Sequence, residues 1–351
     1  MVIKLGYVNR PLWVVLDLIL LNFYNINFYL LCLYWLNWNF FMSQISTVSS
    51  PSLSMSALSG SNLPTIDAMT TIVLLIKCQD QAGIVQAVSA AVYRHGGNII
   101  SLDQYSTALE GGQYFMRLAF AVQDWAQQGA AFCDDFAQNV AQTYAMDWQV
   151  FDSRQRKRVA ILVSKADHAL LDLLWRWQRG QLACEIACVV SNHDHLRRAV
   201  ENFGVPFHVV PVHGADKAAS EAALQALVAD CDLLVLARYM QILSADFVAN
   251  WSMKIINIHH SFLPAFVGAN PYQQAYDKGV KLIGATAHYV TADLDQGPII
   301  EQDVLRVGHR HSVAELRALG QDVERNVLTR AVRWHLDNRV IVAGNKTVVF
   351  S

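Results

Sequence analysis

From residue 159 onward, short runs that are apolar at nearly every position punctuate the chain: Val159–Ser164, Glu185–Ser191, Phe207–Pro211, Leu233–Ala237 and Ile255–Ser261. Between the first four, apolar residues recur every three or four positions over Ala169–Trp177, His195–Phe203 and Lys217–Ala229. Runs apolar on both faces predict strands covered on both sides, and their alternation with helices predicts a mostly parallel α/β sheet. Val313–Leu336 predicts a closing helix and Val340–Phe350 a hairpin turning at Gly344-Asn345. A Rossmann-like sheet of this kind, expected over 159–351, seats ligands outside the carboxyl ends of its strands, where strand order reverses.

A second pattern precedes it. Thr71–Cys78 reads as a strand and Gln79–Gly83 as a loop, and Ile84, Val85, Val88 and Val92 share one face of a helix that stops at Gly96-Gly97. Asn98–Leu102 and Tyr114–Phe120 read as strands around a Gly111-Gly112 turn, Trp125–Tyr144 as a helix and Asp147–Phe151 as a strand. The order βαββαβ over 69–151 is the ferredoxin-like arrangement. The polar run over 152–158 is the expected linker.

Residues 1–68 follow neither pattern. No charge appears between Asp17 and Asp67, and Leu18–Phe41 is dominated by Leu, Phe, Tyr, Trp, Ile and Asn. A membrane-spanning helix fits the length and the flanking Lys4 and Arg10. Against it stand Asp17 and five asparagines from Asn22 to Asn39, expensive in hydrocarbon. A cleaved signal lacks its small-residue site. The expectation is a translation start at Met42, which opens a Ser/Thr-rich tail of disordered composition.

Charge narrows the function classes. A net charge of −2, with no basic run longer than Arg154–Arg158, lacks the cationic face that nucleic-acid phosphates require. Six scattered cysteines without a Cys-x-x-Cys pair are expected to be reduced thiols of a cytoplasmic protein, and no membrane partner is expected unless residues 1–41 are translated. The loop Ser164-Lys165-Ala166-Asp167-His168 after the first strand of the sheet has no glycine, which argues against a dinucleotide or P-loop phosphate site.

Candidate chemistry concentrates in 254–302. The period of two along Ile255–Ser261 puts Asn257 and His259 on one side of a strand exit. The run from His288 ends in Asp295-Gln296-Gly297-Pro298, a turn able to present a carboxylate. His259 and His260 are adjacent, so an extended chain sends their rings to opposite faces, and no metal site is expected.

Two resemblances add to this reading. Strand, acidic loop, Gly83, apolar helix and Gly96-Gly97-Asn98 together resemble an ACT domain, which implies an amino-acid effector and homo-oligomers through paired domains. Asp80 and Gly83 match its ligand-facing loop, the alternative being that Asp80 caps the helix and Gly83 permits the turn. This chain has Gln81-Ala82 where related proteins commonly carry Arg-Pro. Asn257-Ile258-His259, Ser261–Pro264, Gly284–His288 and Leu294–Ile300 resemble the folate-dependent formyltransferase superfamily, and with the ACT order and His259–Phe266 the chain is similar to the formyltetrahydrofolate deformylases.

That resemblance implies hydrolysis of 10-formyltetrahydrofolate to formate and tetrahydrofolate without a cofactor, the formate serving purine synthesis and the reaction balancing the one-carbon folate pool. Asn257 would donate to the formyl oxyanion, His259 would donate or move a proton, and Asp295 would orient and activate water. His288 would support Asp295, with a packing role as the alternative. The backbone around Tyr239, Met240, Gln241 and Leu243 would hold the pterin. Two other functions remain open: formyl transfer to an amine acceptor, whose phosphate would need the missing glycine-rich cradle, and an amino-acid sensor with an inactive catalytic domain.

Overall fold

The computed structural model describes residues 69–108, 110–212, 217–264 and 270–351. The expectations for residues 1–68, including the start at Met42, and the Ala265-Phe266 part of the motif lie outside the described residues. Among the described residues no helix is long and apolar enough to cross a membrane.

The first sheet takes β1 (Thr70–Gln79), β2 (Asn98–Ser106), β3 (Gln113–Val122) and β4 (Asp147–Asp152) in the order β2-β3-β1-β4, all antiparallel. Helices α1 (Ile84–Arg94) and α2 (Trp125–Phe136), the latter continuing into a π turn at Ala137–Ala141, pack on one face. Alternation along β1 explains its unbroken apolar run. Ile72, Leu74 and Ile76 enter the core beneath the helices, while Val73 and Leu75 join Phe115, Ile341 and Phe350 in a second cluster on the opposite face.

The second sheet is built from β5 (Lys157–Val163), α3 (His168–Gln178), β6 (Cys184–Ser191), α4 (Arg197–Glu201), β7 (Phe207–Val209), α5 (Lys217–Val228), β8 (Leu233–Leu236), α6 (Ala245–Ala249), β9 (Ile255–His259), α7 (Pro271–Asp277), β10 (Leu282–Tyr289), β11 (Ile299–Arg306) and α8 (Val313–Leu336). Its order is β11-β10-β9-β8-β5-β6-β7. The five strands from β9 to β7 are parallel, and β10 runs against both neighbours. The chain adds β6 and β7 on one side of β5 and then returns to add β8 and β9 on the other, so order reverses between β5 and β8. Some boundaries differ from the pattern. The basic run expected as a linker ends inside β5, which begins at Lys157. β7 is only three residues long, bracketed by Pro206 and Pro211, which cannot donate to a ladder.

Helix α8 ties the two sheets together. At its start Ser312 and Glu315 form a reciprocal capping box. At its end Lys157 Nζ donates to His335 O (2.8 Å), and the buried Arg117 of β3 donates to Asn338 O (3.0 Å) and Asp337 O (3.2 Å), placing two cations on the negative end of the helix dipole. The hairpin β12 (Val340–Ala343) and β13 (Lys346–Val349) then covers the second face of the first sheet.

Candidate active site

On β9 the side chains divide by the strand period. Ile256 and Ile258 enter the main core, and Asn257 and His259 face a cleft of about 650 Å³ at the carboxyl end of the sheet. The antiparallel register opposes Asn257 with His288 of β10. His288 Nδ1 lies 2.9 Å from Tyr289 O, so this nitrogen carries a proton, and Nε2 accepts from Asn257 Nδ2 at 3.2 Å. That bond uses one amide hydrogen of Asn257, and the second has no partner among the described residues.

Asp295 arrives from the loop between β10 and β11. Its Oδ2 lies 3.2 Å from His259 Nδ1 and its Oδ1 3.6 Å from His288 Nε2. The hydrogen bond from His259 holds its carboxyl well below the ordinary range, with the His288 ring close by, so Asp295 is an anion at neutral pH. The loop is drawn in tightly enough that a Cβ on Gly297 would stand 1.7 Å from Tyr289 O, the carbonyl that orients His288. With Nδ1 bound to Asp295, His259 presents Nε2, a buried atom without a hydrogen-bond partner among the described residues, to the cleft.

The loop after β8 lines the same cleft. Tyr239 is buried, its phenol pushed up to about 12 by burial; Gln241 and Leu243 are half-buried; Met240 is 62% exposed at the rim. Arg238 and Met240 both hold positive φ (65° and 58°), uncommon for such side chains and concentrated at this site. Asp293 is exposed and takes no part.

Five residues of the cleft were not anticipated from sequence. Glu324 of α8, 1% exposed, accepts from Tyr272 OH (2.6 Å) and pairs with His168 Nε2 (2.9 Å) and, more loosely, Arg238 Nη1 (3.5 Å). Burial raises its pKa, but the His168 bond and the Arg238 charge outweigh it, leaving the carboxyl below its usual range. Its signal was a carboxylate standing in the apolar register Leu316, Val323, Val327, Ala331 of a long helix. His260 corrects the expectation of opposed rings: β9 stops at His259, the chain turns, and the two imidazoles lie 5.4 Å apart, both lining the cleft. Burial, with the Arg238 charge, lowers His260 to about 4.

Asp80 and Gly83 lie apart from this cleft, on the first sheet. Asp80 does not cap α1. Its carboxylate accepts from Ser106 on β2, and Gly83, at φ 96°, is the N-cap with no side-chain bond to the helix.

Residues 157–332 match the family model described as formyl transferase, and residues 72–124 match the ACT domain model. A curated formyltetrahydrofolate deformylase of Bacillus subtilis is 51% identical over 280 residues, covering 79% of this chain and 93% of its own. The crystal structure of a formyltetrahydrofolate deformylase from Pseudomonas syringae pv. tomato superposes with a TM-score of 0.76 at 46% identity, over 82% of this chain and 96% of that one. A glycinamide ribonucleotide transformylase from Symbiobacterium toebii shares the fold over 56% of this chain and 95% of its own, at 30% identity and a TM-score of 0.52.

Proposed function

The chain belongs to the formyltetrahydrofolate deformylases and hydrolyses the formyl C–N bond of 10-formyltetrahydrofolate; from that premise we propose how its residues divide the work. The observation that carries the division is His259, fixed by Asp295 at Nδ1 with Nε2 turned to the cleft beside Asn257. Asn257, its amide oriented by His288, gives its remaining N–H to the formyl oxygen as negative charge develops there. Water adds to the formyl carbon, one of its protons passes through His259 Nε2 to the folate nitrogen, and the C–N bond breaks to release formic acid, which ionises to formate, and tetrahydrofolate.

Asp295 has a narrower part than a strong base would have. A carboxylate held so far below neutrality takes a proton from water poorly, so it aligns the water and steadies the imidazolium while His259 carries the proton. Tyr239, Met240, Gln241 and Leu243 flank the pterin, water is the only co-substrate, and neither metal nor organic cofactor enters the scheme. Release of tetrahydrofolate without added amine tests the reading. Asn257→Ala, His259→Ala and Asp295→Ala should each lower kcat by about 100-fold or more; unchanged release in all three would remove the site.

For the first sheet the reading is an amino-acid effector beside Asp80 and Gly83, and a homo-oligomer formed across edge strand β2. The exposure of Ile100 (57%) and Tyr105 (50%) on that edge supports the latter. Calorimetry with the common amino acids and sedimentation of the protein test the two parts: no heat with any amino acid removes the first, and a monomer removes the second. The five cysteines among the described residues are free thiols, which accords with a cytoplasmic setting, where the formate would serve purine synthesis.

A further inference from the structure

We propose that Tyr272, Glu324, His168 and Arg238 form a plug that reserves the formyl group for water by filling the crevice in which a larger nucleophile would have to stand. The proposal rests on the hydrolase reading above and concerns what that site excludes. It starts from topology. Open α/β sheets seat ligands where strand order reverses, here between the carboxyl ends of β5 and β8. His168 follows β5 and Arg238 follows β8, and the two loops are stitched by Ser164 N donating to Arg238 O at 3.2 Å. Their side chains meet across Glu324 in the crevice itself.

The cleft is lined by an apolar group, Ile242, Leu243, Val290 and Leu294, which suits a flat ring, and by the ionic cluster. With the folate nitrogen leaving on the apolar side, a nucleophile reaches the formyl carbon from the ionic side. Water carries nothing behind its reacting atom. An amine carries the rest of its molecule, and that part meets Tyr272 and the buried Glu324 carboxylate.

Displacing the plug is unfavourable because Glu324 would be left as a buried, unpaired charge. A phosphate-bearing acceptor fares worse still, meeting Glu324 and an imidazole where a glycine-rich loop would offer backbone N–H groups. The helix is shaped to admit the plug: a Cβ at Gly320 would stand 2.1 Å from Tyr272 OH, so only glycine there lets the phenol lie across α8 to reach Glu324. Among the described residues, Arg238 Nε and His168 Nδ1 are buried without hydrogen-bond partners, so the cluster is held by shape and charge beyond its few direct bonds.

The test uses glycinamide as a small primary amine and follows formate, formylglycinamide and tetrahydrofolate together. In transfer, the amine nitrogen would bond to the formyl carbon, the C–N bond to folate would break, and the amine's proton would pass to the folate nitrogen. The unaltered protein should release tetrahydrofolate at the same rate with or without glycinamide and yield formate alone. His168→Ala and, separately, Tyr272→Ala should raise the ratio of formylglycinamide to formate by roughly tenfold or more. Asn257→Ala in either background should lower both products by about 100-fold or more. Variants that fold and release tetrahydrofolate but yield only formate overturn the plug. So does saturable inhibition of the unaltered protein by glycinamide, a result that needs no variant to fold. Tetrahydrofolate release that requires glycinamide in the unaltered protein would instead overturn the hydrolase reading, and the two failures are separate.

Discussion

Asp295 reaches two imidazoles from a left-handed backbone (φ 54°), a conformation that aspartate tolerates better than most residues. Its folded pKa lies below the unfolded value, so the stability it contributes is complete above about pH 4 and fades as pH falls through the depressed folded value. The melting difference between the wild type and Asp295→Asn should therefore be flat from neutrality to about pH 4 and shrink below it. Gly297→Ala should destabilise by about 3 kcal/mol in thermal unfolding and disturb His288, because the new Cβ meets Tyr289 O. At this scale Asn257, His259 and Asp295 were legible, since strand period and turn chemistry are local. Glu324 and its partners were not. Arg238 and Glu324 come from different elements, and a single carboxylate on a helix reads as solvated until something shows which face is buried.

Among elements, α8 shows how stability and function separate along one helix. Ser312→Ala removes the capping box at a cost of about 1 kcal/mol, read as a lower melting temperature, and should leave kcat unchanged because Glu324 lies three turns further on. Arg117→Ala should destabilise by about 1–2 kcal/mol through the opposite end, where a cation from the first sheet meets the last carbonyls. Strands β1 to β9 stood out in the sequence, whereas β10 and β11, the antiparallel edge of the second sheet, were not delineated as strands, β11 mixing charged and apolar residues. What sequence blurred were the ends. The helix expected over Trp125–Tyr144 is α-helical only to Phe136, then widens to a π turn, and the helix expected over His195–Phe203 keeps five residues, Arg197–Glu201.

Across the whole molecule, two partly buried histidines contribute to the response to acid. Burial lowers His260 to about 4 and His335 to about 3, so both stay neutral in the folded chain while the unfolded chain takes up protons near pH 6.5. Folded pKa values below the unfolded ones mean that stability is present above about pH 6.5 and declines as pH falls toward the folded values. The melting temperature should drop between pH 7 and 4, and less steeply in His335→Gln; a flat profile would show that these imidazoles are charged in the fold. Fold class was visible at this scale, but the way β12 and β13 cover the second face of the first sheet was not, because the hairpin carries no chemistry and its partners are remote. That placement bears on biosynthesis. Arg117 and Asn338 are 221 positions apart, so when β1 and β3 leave the ribosome their second face has nothing to cover it until the hairpin is translated. A nascent chain halted after β4 should bind a hydrophobic dye and recruit chaperones through Val73, Leu75 and Phe115, and should lose both properties once residues 340–350 have emerged.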